Sequence, residues 1–477
     1  MAGFGSSTLI VVVVLGTIAF IIGWRRPFAV LSALILLIPF RDLSIRWMNA
    51  STDLSPEWVN AISRWWFVLV LSLLAVVVIR WAIDWIRSRV MPKIHVIDVF
   101  FLLVCAIAVI STLFSPNKGA GFTSLRGYLQ PMAVCVLARA IHPSKEHLRT
   151  LLILLLIVGV IMVAFEFWQV FGWTEADYRA HGYVRQNGEL VTPTIQVRGQ
   201  PYIRPTSTVS GPNELGVSML LLSMGAFFGA LYFDGRLRIL LGWLTPIFLL
   251  GVMLTFSRSA FLGLIAAIIA ATILLIKPQL ANNKEMGGRR GYKTLAFIAG
   301  LVILVILVLV VSGNLRHISN TLSHLTQEYH IRDSLDAARF LIENPGGVGM
   351  GMVEPKGALT LMAAESLYHV EGSLFQIAIE MSILGLVIWL AFWCVGLMQI
   401  WQMWGELKQP GLRVLTGTAF AGWIGALVAF VFLPLMQSIS LMVWLWFFFG
   451  FALESQRIES MWEDRDRIAS SSTPTPT

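Results

Sequence analysis

Apolar and polar residues alternate along this chain in long blocks, not at the short periods of amphipathic helices or half-buried strands. Thirteen apolar blocks can be read, at approximately 7–24, 27–40, 65–83, 97–114, 123–140, 150–172, 213–233, 237–254, 259–276, 294–312, 373–401, 411–433 and 435–453. A membrane span needs about 20 apolar residues, because inside a bilayer only a helix satisfies its own backbone N–H and C=O groups. The pattern therefore predicts an all-α polytopic membrane protein with about 12–13 transmembrane helices. The second block is short and flanked by Pro27 and Pro39, which predicts a helix that is tilted, broken or tightly paired with the first.

Two connections are far longer than a hairpin between spans needs, and both are read as structured outer loops. The chain then divides into N-terminal spans (1–172), a first long loop (173–212), central spans (213–312), a second long loop with short helices (313–372), C-terminal spans (373–454) and a tail (455–477). The tail's last residues, Ser470 to Thr477, read as disordered.

Composition agrees with this division. Only 13% of the 477 residues are charged, against roughly 25% in soluble domains. The net charge of +8 does not point to nucleic acid, since basic residues in a membrane protein are held on the cytoplasmic side and against anionic lipid. Loops after odd-numbered blocks, with the tail, hold 21 of the 35 Lys and Arg. That bias places these loops and the C-terminus in the cytoplasm, and thirteen spans place the N-terminus outside. If the first two blocks form one re-entrant unit, the N-terminus flips. The residues before the first block include no basic run, so that block is expected as a retained span and not a cleaved signal. Cys105, Cys135 and Cys394 fall inside apolar blocks and read as small buried hydrophobes with no disulfide framework.

Candidate chemistry is confined to the outer face. Thr255-Phe256-Ser257-Arg258-Ser259 joins two spans with almost no loop, so Arg258 sits near a membrane boundary. An arginine there either snorkels to headgroup phosphate or contacts an anion in a cavity. The first long loop ends in Tyr202-Ile203-Arg204, then hydroxyls, then Gly211-Pro212-Asn213 at a helix start, where Asn213 or Ser210 could serve as the cap. In the second loop Leu335, Ala338 and Ile342 form one helical stripe, with Arg332, Asp336 and Arg339 on the neighbouring face. Arg332–Asp336 reads as an i,i+4 pair, and Gly346 to Gly351 reads as a tight turn. Just before the eleventh block come Glu365, Tyr368, His369 and Glu371. A His and a Glu two residues apart suit a general base and its orienting partner, or plain solvated loop groups. Their spacing is too sparse for a metal site, and none is expected.

Taken together, these blocks resemble the bacterial O-antigen ligase/polymerase superfamily of polysaccharide-assembly membrane proteins. The resemblance covers roughly residues 198–390 and rests on four stretches: Arg204 to Asn213, Thr255 to Arg258, Arg332 to Gly351, and Phe375-Gln376-Ile377-Ala378-Ile379-Glu380-Met381-Ser382-Ile383-Leu384-Gly385. Two positions depart from the family pattern. Glu371-Gly372 stands where ligases place a His-Asn pair, with His369 two residues earlier, and Ser382 replaces the usual glycine. The resemblance implies an inverting, cofactor-free glycosyltransferase of lipopolysaccharide or exopolysaccharide assembly, in the bacterial cytoplasmic (inner) membrane with its site facing the periplasm. The donor is a glycan on undecaprenyl pyrophosphate. The acceptor is a lipid-linked repeat (polymerase) or another glycolipid (ligase), and a chain-length regulator is the implied protein partner. Arg204, Arg258 and Arg332 would bind the pyrophosphate, with Arg339 and Tyr202 in support, and Glu371 or His369 would be the base. The alternative is a transporter or flippase of a lipid-linked or anionic substrate, which predicts internal repeats and charge at mid-membrane depth.

Overall fold

The computed structural model describes residues 6–50, 56–88, 95–184, 189, 190, 192, 194–197, 200–281, 336–355, 368–370 and 372–471. The protein is an all-α polytopic membrane protein. Among the described residues, nine helices are long and apolar enough to cross a membrane, or ten if one bent pair is a single span. Twelve of the thirteen apolar blocks are helical; the tenth, 294–312, lies outside the described residues.

In chain order the helices are α1 (Ser6–Arg25), α2 (Pro27–Leu37), α3 (Arg41–Ala50), α4 (Pro56–Ser63), α5 (Trp65–Ser88), α6 (Val96–Phe114), α7 (Lys118–Ala140) and α8 (Lys145–Gly172). After the short α9 (Glu175–Ala180) and the hairpin β1 (Thr194–Val197) and β2 (Gln200–Ile203) come α10 (Pro212–Tyr232), α11 (Gly235–Leu254) and α12 (Arg258–Ala281). Residues 336–343 form α13, followed by β3 (Val353–Pro355) and β4 (Tyr368–Val370). The chain closes with α14 (Ser373–Trp404), α15 (Pro410–Phe432), α16 (Ile439–Leu453) and α17 (Ser455–Ser471).

The second block is broken, as the two prolines predict: a 3-10 turn at Ile38–Phe40 separates α2 from α3. The tail is helical through Ser471, further than expected, and α16 and α17 meet at a bend of 55°. Helix α7 carries Lys118, Arg126, Gln130 and Arg139, so it is too polar to qualify as a span by composition. It nevertheless packs against α16 inside the bundle.

Burial separates central from peripheral helices. Helices α10 and α15 bury 83% and 78% of their apolar windows, while α6 buries 22% and turns its apolar side chains outward to lipid. Helix packing inside lipid relies on close approach of small residues, because lipid tails are as apolar as leucine. Here α12 and α15 touch through Gly263 and Gly425: a Cβ on Gly263 would lie 2.4 Å from Gly425 O. Aromatic rings fill the space between α14, α15 and α16, where Trp389, Trp393, Trp423, Trp446 and Phe449 are all buried. Their polar atoms are partly tied to backbone, as in Trp423 Nε1 donating to Leu445 O at 2.9 Å. Cys135 is buried as expected, but Cys105 is half-buried and Cys394 is exposed on α14; all three are free thiols.

Candidate functional site

One end of the bundle, the end that the charge count places outside, gathers most of the polar contacts between distant segments. The β1–β2 hairpin pairs Ile195 with Tyr202 and delivers the chain to Arg204. The Tyr202 hydroxyl donates to Leu254 O at 2.9 Å, and its ring packs 4.8 Å from that of Phe256. Burial pushes the Tyr202 phenol well above its usual pKa, which keeps it a hydrogen-bond donor. Arg204 then bridges the end of α11 and the start of α10: Nε donates to Thr255 O and Nη2 to Asn213 Oδ1, each at 2.8 Å. Burial, with the Arg258 guanidinium nearby, pushes the Arg204 pKa down to about 10, so it remains a cation at neutral pH.

The junction between α11 and α12 is tight because Phe256 takes a left-handed conformation, φ 50°. Ser257 N donates to Thr255 Oγ1 at 3.2 Å, and Ser257 Oγ lies 3.3 Å from Ser259 Oγ. This turn puts Arg258 at the first position of α12, exposed, with no side-chain hydrogen bond or ion pair among the described residues.

Residues 206–209 pass through the protein interior, so their backbone groups need internal partners. Gln169 supplies them: its Oε1 accepts from Thr206 N at 3.1 Å and Ser207 N at 2.7 Å. On the other side Arg46, only 4% exposed, donates to Thr206 Oγ1 at 3.1 Å and to Ser210 O, with its guanidinium 4.4 Å above the Tyr183 ring. The segment 204–214 is therefore held by one arginine at each flank. Neither Ser210 nor Asn213 caps α10. The cap position is Gly211 with Pro212 next, Ser210 N and Oγ both donate to Glu214, and Asn213 is occupied by Arg204.

A second polar group is built around α14. That helix breaks at Ser382 (φ 79°, ψ 165°), which frees the carbonyl of Ile379 and the N–H of Ile383. The 344–351 turn takes up both: Val348 N donates to Ile379 O at 2.8 Å, and Ile383 N to Pro345 O at 3.2 Å. The glycines are required here, with φ 73°, 95° and 77° at Gly347, Gly349 and Gly351. Gly351 N donates to the buried Glu380 Oε1 at 2.9 Å, and Ser124 Oγ donates to the same oxygen at 3.1 Å. Gln437, in the loop between α15 and α16, donates to Ser124 Oγ at 3.1 Å. The same loop is clasped by Ser373, whose Oγ donates to Leu433 O at 2.7 Å and accepts from Leu435 N at 2.8 Å. The backbone N–H of Leu441 reaches Glu214 at 3.3 Å, which joins the two polar groups into one belt.

The sequence-predicted residues fare differently. Arg204, Tyr202 and Arg258 come together, Arg204 and Tyr202 as struts of the junction and Arg258 as a cation without a side-chain partner among the described residues. Arg332 and Glu371 lie outside the described residues. For His369 the backbone is described, in β4 opposite Glu354 of the parallel strand β3. Arg339 is 76% exposed and pairs at 3.6 Å with Asp336. The expected stripe on this helix is corrected too: Ala337 and Leu341 are buried, while Ile342 is 78% exposed. Ala337 and Leu341 pack with Val353, Val370, Ala378 and Ile379, which fixes the buried face one position away from the stripe read in the sequence.

Sequence reading passed over Arg41, Arg46, Arg64 and Arg126. The last sits two turns inside α7, exposed, without a side-chain hydrogen bond or ion pair among the described residues, and within electrostatic reach of Arg64 and Arg41. Arg126 lies inside the apolar block 123–140, whereas Arg258 stands between two blocks; a charge within a block was the signal that could have found Arg126. Glu166, on α8, is fully buried, and neither carboxylate oxygen has a hydrogen-bond partner among the described residues. Searches for related proteins add no identity: no family model matches the chain, and no curated protein matches it either.

Proposed function

We propose that this protein is an inverting, metal-independent glycosyltransferase of bacterial surface-polysaccharide assembly, of the O-antigen polymerase or ligase type. The observation that carries the reading is Arg258, a cation at a helix start with no side-chain partner among the described residues, beside a second arginine that is locked in place. Guanidinium groups bind phosphate oxygens bidentately and stay charged at working pH. The proposed donor is a glycan on undecaprenyl pyrophosphate in the cytoplasmic membrane, with the site facing the periplasm. Arg258 and the Nη1 of Arg204, which makes no hydrogen bond among the described residues, take up the negative charge of the departing pyrophosphate. His369 or Glu371 removes the proton from the acceptor hydroxyl, whose oxygen attacks the anomeric carbon as the bond to pyrophosphate breaks. The separate cation group of Arg41, Arg64 and Arg126 suits an acceptor that carries its own phosphate.

A transporter reading is favoured by one observation, the buried carboxyl of Glu166, which has no hydrogen-bond partner among the described residues, since ionisable groups inside spans often serve proton or ion relays. Purified protein supplied with lipid-linked pyrophosphate glycan separates the two. Glycosyl transfer requires release of free undecaprenyl pyrophosphate and growth or relocation of the glycan. Arg258→Ala is expected to lower that release by about 10²–10³-fold, the usual effect of removing one charge-stabilising donor. Full activity in Arg258→Ala, with Arg204→Ala also active and correctly inserted, ends the proposal. Substrate movement without pyrophosphate release supports transport instead.

A further inference from the structure

The opposite end of the bundle contains a cavity of about 1930 Å³ that the proposed reaction does not use. Ordinary small-molecule pockets reach roughly 1,000 Å³. Its inner wall is apolar, with Val77, Phe101, Leu102, Leu151 and Leu154. Leu102 and Leu154 are 63% and 38% exposed, so this wall is open to its surroundings and not sealed by protein.

Its rim is basic. Six arginines and three histidines line it against three carboxylates, Asp84, Asp98 and Glu454. Asp98 and Glu454 are paired within the rim: Arg139 binds Asp98 and donates through Nε to Glu454 at 2.9 Å, and Arg457 lies 3.7 Å from Glu454. Arg80 is held over the Trp24 ring at 5.4 Å. Arg25, Arg26 and Arg465 are exposed and make no side-chain hydrogen bond or ion pair among the described residues. His142, also on the lining, keeps a buried Nε2 without a hydrogen-bond partner. Burial and then the charge of Arg457 hold His142 below the usual imidazole pKa, so this nitrogen adds no positive charge near neutrality.

We propose that this cavity is a site for an anionic phospholipid of the adjacent leaflet, with its phosphate among Arg25, Arg26 and Arg465 and an acyl chain along Leu102 and Leu154. A soluble anion would use the rim and leave the apolar wall wet. A neutral lipid would use the wall and leave the arginines unanswered. Only an amphiphile with a negative head satisfies both. Excess arginine marks the cytoplasmic end of a membrane protein, where the leaflet carries anionic lipid.

The test compares full-length protein in phosphatidylglycerol and in phosphatidylcholine nanodiscs, with lipid retained after detergent extraction counted by native mass spectrometry. Wild type is expected to retain phosphatidylglycerol and not phosphatidylcholine. The triple variant Arg25→Gln, Arg26→Gln, Arg465→Gln is expected to weaken retention by about fivefold for each arginine. Because these three side chains are exposed and unpaired, the variant's thermal midpoint in phosphatidylcholine should match wild type, separating loss of lipid from loss of fold. Leu154→Trp, which narrows the apolar wall, should also reduce retention. Equal retention of both lipids, or undiminished retention in the triple variant or in Leu154→Trp, overturns the proposal. So does displacement of the lipid by millimolar glycerol 3-phosphate, which would make this a site for free phosphate.

Discussion

Arg204 and Asn213 are joined by a 2.8 Å hydrogen bond, and the same guanidinium holds Thr255 O, so one side chain ties the start of α10 to the end of α11. A lysine has no planar fork to span both acceptors. Hydrogen bonds to a charged group contribute about 1.5–3 kcal/mol each. Arg204→Lys is therefore expected to lower the thermal midpoint of the detergent-purified protein. In a double-mutant cycle with Asn213→Ala, the two substitutions should prove non-additive. Additive effects would mean that the bond does not form.

The pH dependence of this strut can be signed. Burial holds the Arg204 guanidinium at a pKa of about 10, below its ordinary value. The folded state therefore loses this proton before the unfolded state does, so the burial penalty on the charge is present at neutral pH and is relieved as pH rises through about 10. Activity that depends on the Arg204 charge should stay flat across neutral pH and fall only on approach to about pH 10. A limb near pH 7 in the rate profile would have to come from another group, and its survival in Arg204→Lys would confirm that.

Ser382 occupies φ 79°, ψ 165°, a region that costs a residue with a side chain about 1–3 kcal/mol. Replacement by glycine should raise stability by about that amount while leaving the break in α14 intact. Thermal unfolding in detergent measures it, and a destabilised Ser382→Gly variant would show that the serine hydroxyl, which accepts from Gly385 N at 3.2 Å, matters more than the backbone strain.

Gly351 leaves no room for a side chain, since its Cβ would lie 2.3 Å from the carbonyl carbon of Ala120. With φ at 77° the substitution is strained even before that clash. Gly351→Ala should detach the turn from α7, breaking the bond to Glu380. Limited proteolysis around residue 350, with cleavage faster than in wild type, is the expected readout.

Arg339 provides the opposite expectation. At 76% exposure, with a 3.6 Å partner that is itself 57% exposed, it should contribute little to stability. Arg339→Ala is expected to shift stability by no more than about 0.5 kcal/mol. A large loss of pyrophosphate-lipid release in this variant would restore it to the candidate site.

The spans were legible because a bilayer imposes one length and one kind of backbone, and twelve of the apolar blocks read from the sequence are helices. The cluster of Tyr202, Arg204 and Arg258 was legible for a related reason: polar residues at span ends have few places to go. Their division of labour was not. Nothing in the order of residues shows that two of Arg204's nitrogens are consumed by Thr255 and Asn213, because both bonds depend on how three helix ends meet. Arg46 was invisible for the same reason: its partners lie 160 and 164 positions away. The stripe on 336–343 failed by one position, since hydrophobic spacing cannot choose between adjacent faces when the docking surface, Val353 to Ile379, comes from elsewhere in the chain.

The glycine contact between α12 and α15 has a bearing on Arg258 at a distance. Gly263 lies five positions further along the same helix, about 7.5 Å of axial rise. Any side chain at 263 would have to turn α12 about its axis or push it off Gly425. Since Arg258 is the first residue of that helix, such a turn would swing its guanidinium through an arc and change its placement relative to Arg204. The aim of Arg258 is thus set by a bare patch of backbone little more than a turn further along its own helix, where a single methyl group would act as a misaligned bearing.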